Sequence, residues 1–140
     1  MTYSFADLSV TLVHPAMGQL TLQGEGLGSI TFAFSEDASS HELAADGTVM
    51  TSKVEARNGT VAVSVLQMSP AHDWLTRLFN FLRAAPSREW ARIGLLATAP
   101  SMRVTHEASN MSFQKRPDKP YQQQGQQVTW TLLAGEMIER

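Results

Sequence analysis

The sequence predicts a mainly β protein, an antiparallel β-sandwich or open barrel of about seven strands with one flanking helix near residues 70–85. Three observations carry this. Apolar residues alternate with period two through the first half, the mark of strands half-buried on a sheet face. Only the stretch between Ser69 and Pro86 has a clear helical apolar period. Glycine and proline breaks separate the runs, yet no repeat or linker divides the chain.

Taken in order, Val10 and Leu12 open the first strand, and Gln19-Leu20-Thr21-Leu22-Gln23 forms the second. Ile30, Phe32 and Phe34 give the third strand one face, and Thr31, Ala33 and Ser35 the other. Between the second and third lies Gly24-Glu25-Gly26-Leu27-Gly28, whose glycines suit a hairpin turn. Met50 to Ala56 and Thr60 to Met68 read as a further hairpin around Asn58-Gly59, with Val61, Val63 and Val65 facing inward. Residues 36–48 have no strand period and carry four carboxylates, so they read as a long loop, functional or disordered, that is expected to touch a partner.

Ser69 can cap the helix, Pro70 suits its first position, and Trp74, Leu75, Leu78, Phe79 and Leu82 make its apolar face until Pro86 stops it. Residues 87–92 read as a turn of helix or a loop. Ile93 to Thr98 is a buried strand ended by Pro100, and Met111 to Lys115 pairs with Val128 to Ala134. The prolines and glutamines between the last two forbid regular structure.

Composition narrows the function classes. At 43% hydrophobic and 17% charged, 140 residues can bury a true core and read as a single domain, 1–140. There is no cysteine, which excludes disulfides, thiolate nucleophiles and thiolate metal sites. No apolar run reaches membrane-spanning length, and the first residues lack the basic and apolar regions of a signal peptide, so no membrane association and a cytoplasmic origin are expected. A net charge of -2 opposes non-specific nucleic-acid binding. That total hides a split: residues 1–70 hold seven acidic and two basic residues, residues 71–140 six acidic and nine basic. One copy can therefore meet another, acidic surface to basic surface.

Catalytic candidates do not converge. His14, His41, His72 and His106 are scattered without metal-ligand spacing and read as surface or capping residues. His72 and Asp73 are adjacent on a helix and point about 100° apart, so Asp73 is better explained by helix-start electrostatics. The serines lack a nucleophile-elbow pattern. The glycine run precedes a strand, where a phosphate loop would precede a helix. The two glycosylation sequons, at Asn58 and Asn110, are chance matches without a secretory signal. No enzyme, cofactor or metal is expected. Trp74, Leu78 and Phe79 read as core, whereas Phe81, off the main stripe, marks a candidate subunit contact.

Several segments together resemble the tail tube proteins of contractile-tailed bacteriophages: Asp46-Gly47-Thr48-Val49-Met50-Thr51-Ser52-Lys53, Asn58-Gly59-Thr60 with its valine-rich strand, Ser69-Pro70-Ala71-His72-Asp73-Trp74-Leu75, Phe113-Gln114-Lys115-Arg116-Pro117-Asp118-Lys119-Pro120-Tyr121, and Val128-Thr129-Trp130-Thr131-Leu132-Leu133. The resemblance implies hexameric rings that stack into a hollow tube inside a contractile sheath, related in fold to the type VI secretion inner tube. It implies a virion tail component assembled in the host cytoplasm, with sheath, baseplate and tail terminator proteins as partners. Genomic DNA would pass through the lumen without specific binding. The tube of a phage-derived bacteriocin or other contractile injection system is the alternative, and a small ligand-binding sandwich or ring-forming effector carrier is the reading from another class.

Ring contacts join different faces of neighbouring subunits. On that expectation the segment with Glu36, Asp37, Glu42 and Asp46 meets Lys115, Arg116 and Lys119 of an adjacent copy. Two sets of polar strand positions are candidates for the lumen wall: Thr51, Lys53 and Glu55 with Thr60, Ala62 and Ser64, or Thr21 and Gln23 with Thr31, Ala33 and Ser35.

Overall fold

The computed structural model describes residues 5–23 and 27–140. Among these residues, nine strands and one α-helix follow in the order β1 (Ser9–His14), β2 (Gly18–Gln23), β3 (Leu27–Phe34), β4 (Ser39–Leu43), β5 (Val49–Lys53), β6 (Gly59–Leu66), α1 (Pro70–Ala84), β7 (Ile93–Ala99), β8 (Val104–Phe113) and β9 (Gln127–Glu139). Seven strands form one antiparallel sheet ordered β2-β1-β7-β8-β9-β6-β3, and β4 and β5 form a separate two-stranded ribbon.

Alternation builds the sheet's inner face. Val10, Leu12, Ile93, Leu95, Val61, Val63, Val65, Val128, Trp130 and Leu132 are all buried on it. The register places like with like: Val61 lies opposite Leu132, and Val63 opposite Trp130. Helix α1 lies against both β6 and β2, strands far apart in the sheet order, so the sheet curls around it as a half-barrel.

The helix begins where its sequence dictates. Ser69 holds an extended backbone, and its Oγ accepts the His72 amide proton at 3.2 Å. Pro70 follows at the first helical position. Leu75, Leu78, Phe79 and Leu82 then face the core. Each such side chain contributes about 1.5–3 kcal/mol when removed from water. Phe79 and Phe113 meet edge to face at 5.3 Å, and Phe113 lies 5.3 Å from Trp130.

Two of the histidines read as surface or capping residues are buried, and each has a reason to be. The Trp130 indole donates from Nε1 to Nδ1 of His72 at 3.1 Å. This satisfies the buried donor that a core tryptophan brings. His14 accepts the Ala16 amide proton at Nδ1, 3.1 Å away, which leaves Nε2 protonated to donate to the Glu89 carbonyl at 3.2 Å. His41 is exposed, and His106 stacks on Phe32 at 4.2 Å.

Both glycine-based hairpins are corrected. β2 and β3 occupy opposite edges of the sheet and do not pair; Gly24 to Gly26 lie outside the described residues. Met50 to Ala56 does not pair with β6 either: β5 pairs with β4, while β6 lies between β3 and β9. Gly59 is required by close approach instead of turning. A Cβ there would collide with the Ala33 carbonyl oxygen and with Met137 Cε.

The expected loop at 36–48 also contains strand β4, which folds back onto β5 through a turn at Asp46-Gly47. Alternation cannot reveal a strand whose two faces are both exposed. β8 begins at Val104, seven residues before the expected Met111. A bulge hides its period: Ser109 and Asn110 together oppose Gly94, with Asn110 in the left-handed region at φ 52°. The inward residues Ala108 and Met111 are consequently three apart.

Two outcomes are expected. Gly59→Ala should lower unfolding stability by about 1–3 kcal/mol through overpacking, measured by urea denaturation. Burial, followed by the positive charge of Lys119, holds the His72 imidazole below its ordinary range, while Asp73 opposes this weakly. The unfolded chain therefore takes up a proton below about pH 6.5 that the fold resists, and stability falls as pH drops through that value. His72→Gln keeps an acceptor for the indole without a titrating ring. Its urea midpoint should drop less than wild type between pH 7.5 and 5.5.

Candidate assembly surfaces

Among the described residues, three surfaces stand out as assembly candidates once the core is closed. The first is the β4–β5 ribbon. Every residue from Ala33 to Lys53 is exposed, including Leu43 at 75%, Val49 at 50% and Met50 at 58%. Its turn is well built: the Asp46 carboxylate accepts the Thr48 amide proton at 3.0 Å, which draws its pKa below the usual range, and Gly47 takes a φ of 90°. Two strands without a packed face are marginally stable in water. Glu36, Asp37, Glu42 and Asp46 make no ion pair among the described residues.

The second surface is the outer face of β3, β6 and β9. The register sets Ser29 beside Ser64, Thr31 beside Ala62, and Ala33 beside Thr60, then continues to Thr129, Thr131 and Leu133. Nothing in these rows is charged, and Ser64 and Thr129 share a hydroxyl hydrogen bond of 2.8 Å. Thr21 and Gln23 sit on β2, at the far edge of the sheet from Thr31 and Ala33. Thr51 and Lys53 belong to the ribbon and Glu55 to the segment after it, so neither expected set forms one hairpin wall. Thr60, Ala62 and Ser64 do join Thr31 and Ala33 on one face.

The third is a cavity of about 390 Å³ lined by Phe79, Arg83, Trp90, Phe113, Gln114, Lys115 and Arg116. The helix supplies Phe79 and Arg83, four residues and about one turn apart, and the end of β8 supplies Phe113. The Arg116 guanidinium lies 4.7 Å from the Phe79 ring centroid and donates to Asn80 Oδ1 at 2.7 Å. The structure thus brings Lys115 and Arg116 together but separates Lys119, which sits near His72 at the other end of the helix. Arg83 was missed by sequence reasoning; its signal is the helical spacing from Phe79. Phe81 is 38% exposed and meets His14 edge-on at 6.0 Å, so part of its ring is used within the subunit.

Among the described residues, no group of three or more His, Cys, Asp or Glu side chains is placed to hold a metal ion, and no helix is long and apolar enough to cross a membrane. A half-barrel with an unsupported ribbon, a basic cavity and an uncharged strand face has the features of a subunit built for contact. The model of the bacteriophage PhiTE tail tube protein family matches residues 1–140. The chain belongs to this tail tube family.

Solved structures share the fold. A chain of an extracellular contractile injection system, the PVC sheath–tube complex in its extended state, aligns with TM-score 0.63 and 9% identity over 99% of this chain and 91% of that one. A chain of the six-fold symmetrised baseplate of the anti-feeding prophage gives 0.64 and 11% over 100% and 95%. A chain from the tail of an empty GTA particle, refined with C6 symmetry, gives 0.63 and 11% over 98% of both chains. A comparison with curated proteins finds no match. The chain is thus a tail tube protein by family, with the mainly β, helix-flanked fold that its sequence predicts and these structures share.

If the ribbon's turn is as well made as its geometry implies, Asp46→Ala should disturb it locally without unfolding the body. Amide exchange should quicken at Thr48 and the flanking β4–β5 pairs and stay unchanged in β6 and β9.

Proposed function

We propose that this chain, as a single tail-tube domain, forms six-membered rings that stack into the inner tube of a contractile phage tail and conduct DNA during ejection. The observation that carries the reading is the run of uncharged rows on the outer face of β3, β6 and β9. A wall of hydroxyls, alanines and Leu133 lets a polyanion slide, because it offers no cation to exchange for the counterions of phosphate. Thr60, Ser64, Thr31 and Ala33 are its central positions, while Thr21, Gln23, Thr51, Lys53 and Glu55 are assigned away from it. The family model, described for a phage tail tube, supports the same reading.

The sheath, baseplate and tail terminator are proposed partners along with other copies of the chain. The similar folds in a sheath–tube complex and a baseplate support the first two. Between neighbours, the acidic ribbon with Glu36, Asp37, Glu42 and Asp46 faces the basic surface of Lys115 and Arg116, with Lys119 and Phe81 at other points of the contact. Such pairs set register and partner choice more than affinity.

A second reading, the tube of a phage-derived bacteriocin or other contractile injection system without a genome, is favoured by the likeness to the PVC and anti-feeding prophage structures. Negative-stain microscopy of purified protein tests what both share: long hollow tubes of uniform width are expected, and a persistent monomer at high concentration would sink both. Particles carrying Thr31→Lys, Thr60→Lys and Ser64→Lys separate them. A DNA conduit should release its genome more slowly at low salt than at high salt, whereas a genome-free tube has no such readout.

A further inference from the structure

We propose that the cavity walled by Phe79, Phe113 and Trp90 is the receptor for the ribbon tip of a second copy of this chain. Leu43 enters the aromatic hollow, and Glu42 and Asp46 meet Arg83, Lys115 and Arg116 at its rim. The assignment rests on the self-assembly proposed above and names the seat that assembly uses.

Charge and shape both select this occupant. No residue lining the cavity is acidic, and Arg83, Lys115 and Arg116 have no carboxylate partner among the described residues. Arg116 is nevertheless held in place by Asn80 and the Phe79 ring, so its charge is fixed but uncompensated. A preorganised guanidinium loses little entropy when a carboxylate arrives. The volume of about 390 Å³ falls among pockets that enclose ligands, and Phe79, Trp90 and Phe113 give its lining an apolar part.

The ribbon supplies the complement. Each five-residue strand extends about 17 Å. At its end stands Leu43, 75% exposed, opposite Val49, with Glu42 beside it and Asp46 in the turn. An apolar anchor with charge nearby is the pattern that gives an interface both affinity and register. The chain's own ribbon does not fill the cavity, because every ribbon residue is exposed in the subunit.

The absence of cysteine from the chain makes a direct test available. Ala44→Cys, beside the anchor, and Gln114→Cys, on the cavity rim, are made separately, mixed and oxidised under assembly conditions. Any mixed disulfide is then between copies. It should form about tenfold above the pairing of Ala44→Cys with Thr31→Cys on the sheet's outer face. Adding Lys115→Glu and Arg116→Glu to the acceptor, or Leu43→Ser to the donor, should reduce it severalfold. Tubes that form without a 44–114 adduct above the control would overturn the receptor and leave the tube reading intact. An adduct without tubes would keep the receptor and sink the tube reading. Neither tubes nor adduct overturns both.

Discussion

The fold depends on one packing constraint: a sheet with a single apolar face must have that face covered, and one amphipathic helix has to do it alone. Curling allows this. By bending until β2 and β6 both reach α1, the seven strands shrink the opening that a single helix has to close. The contact between Trp130 and His72 joins the sheet to the first turn of the helix. A bulky indole fills the curl, and the helix's first turn supplies the acceptor that its N–H needs. Removing that acceptor would leave a buried donor unpaired, which costs about 1–3 kcal/mol.

What α1 does not cover includes the candidate assembly surfaces. The inner face is occupied, so the outer face, the ribbon and the basic cavity are the surfaces on which the proposed assembly draws. They differ in character: one is uncharged and smooth, one acidic with exposed leucine and methionine, one basic with aromatic walls. A contact between unlike surfaces is heterologous, and heterologous contacts make rings when their rotation closes and filaments when it does not. A tube needs both outcomes, one around the ring and one along the axis, from a chain that carries more than one such surface.

What the sequence reveals follows from where burial is one-sided. β1, β6 and β9 alternate because one face meets the core, and Ser69-Pro70 marks the helix because capping is local chemistry. The failures are equally physical. β4 has no buried face to imprint a period, and the Asn110 bulge shifts the phase of β8. Asn58-Gly59 carries a hairpin dipeptide at a place where glycine is needed because Met137 and Ala33 crowd it. His14 and His72 look like surface residues because their partners, the Glu89 carbonyl and the Trp130 indole, are 75 and 58 residues away. The basic half was legible as charge, but only the fold separates Lys119 from Lys115 and Arg116 and adds Arg83.

The ribbon ties stability to assembly. Ordering a loop costs roughly 1–2 kcal/mol of backbone entropy per residue, and a two-stranded ribbon with no apolar support recovers little of it. The exposed Leu43, Val49 and Met50 recover more only when another surface covers them, at about 25 cal/mol per Å² of apolar area buried. A subunit so built keeps its core independent of its neighbours while leaving its arm dependent on them. This division suits a repeated building block: the half-barrel closes its core within one copy, and under the proposed assembly the contacts that set register between copies are completed at docking.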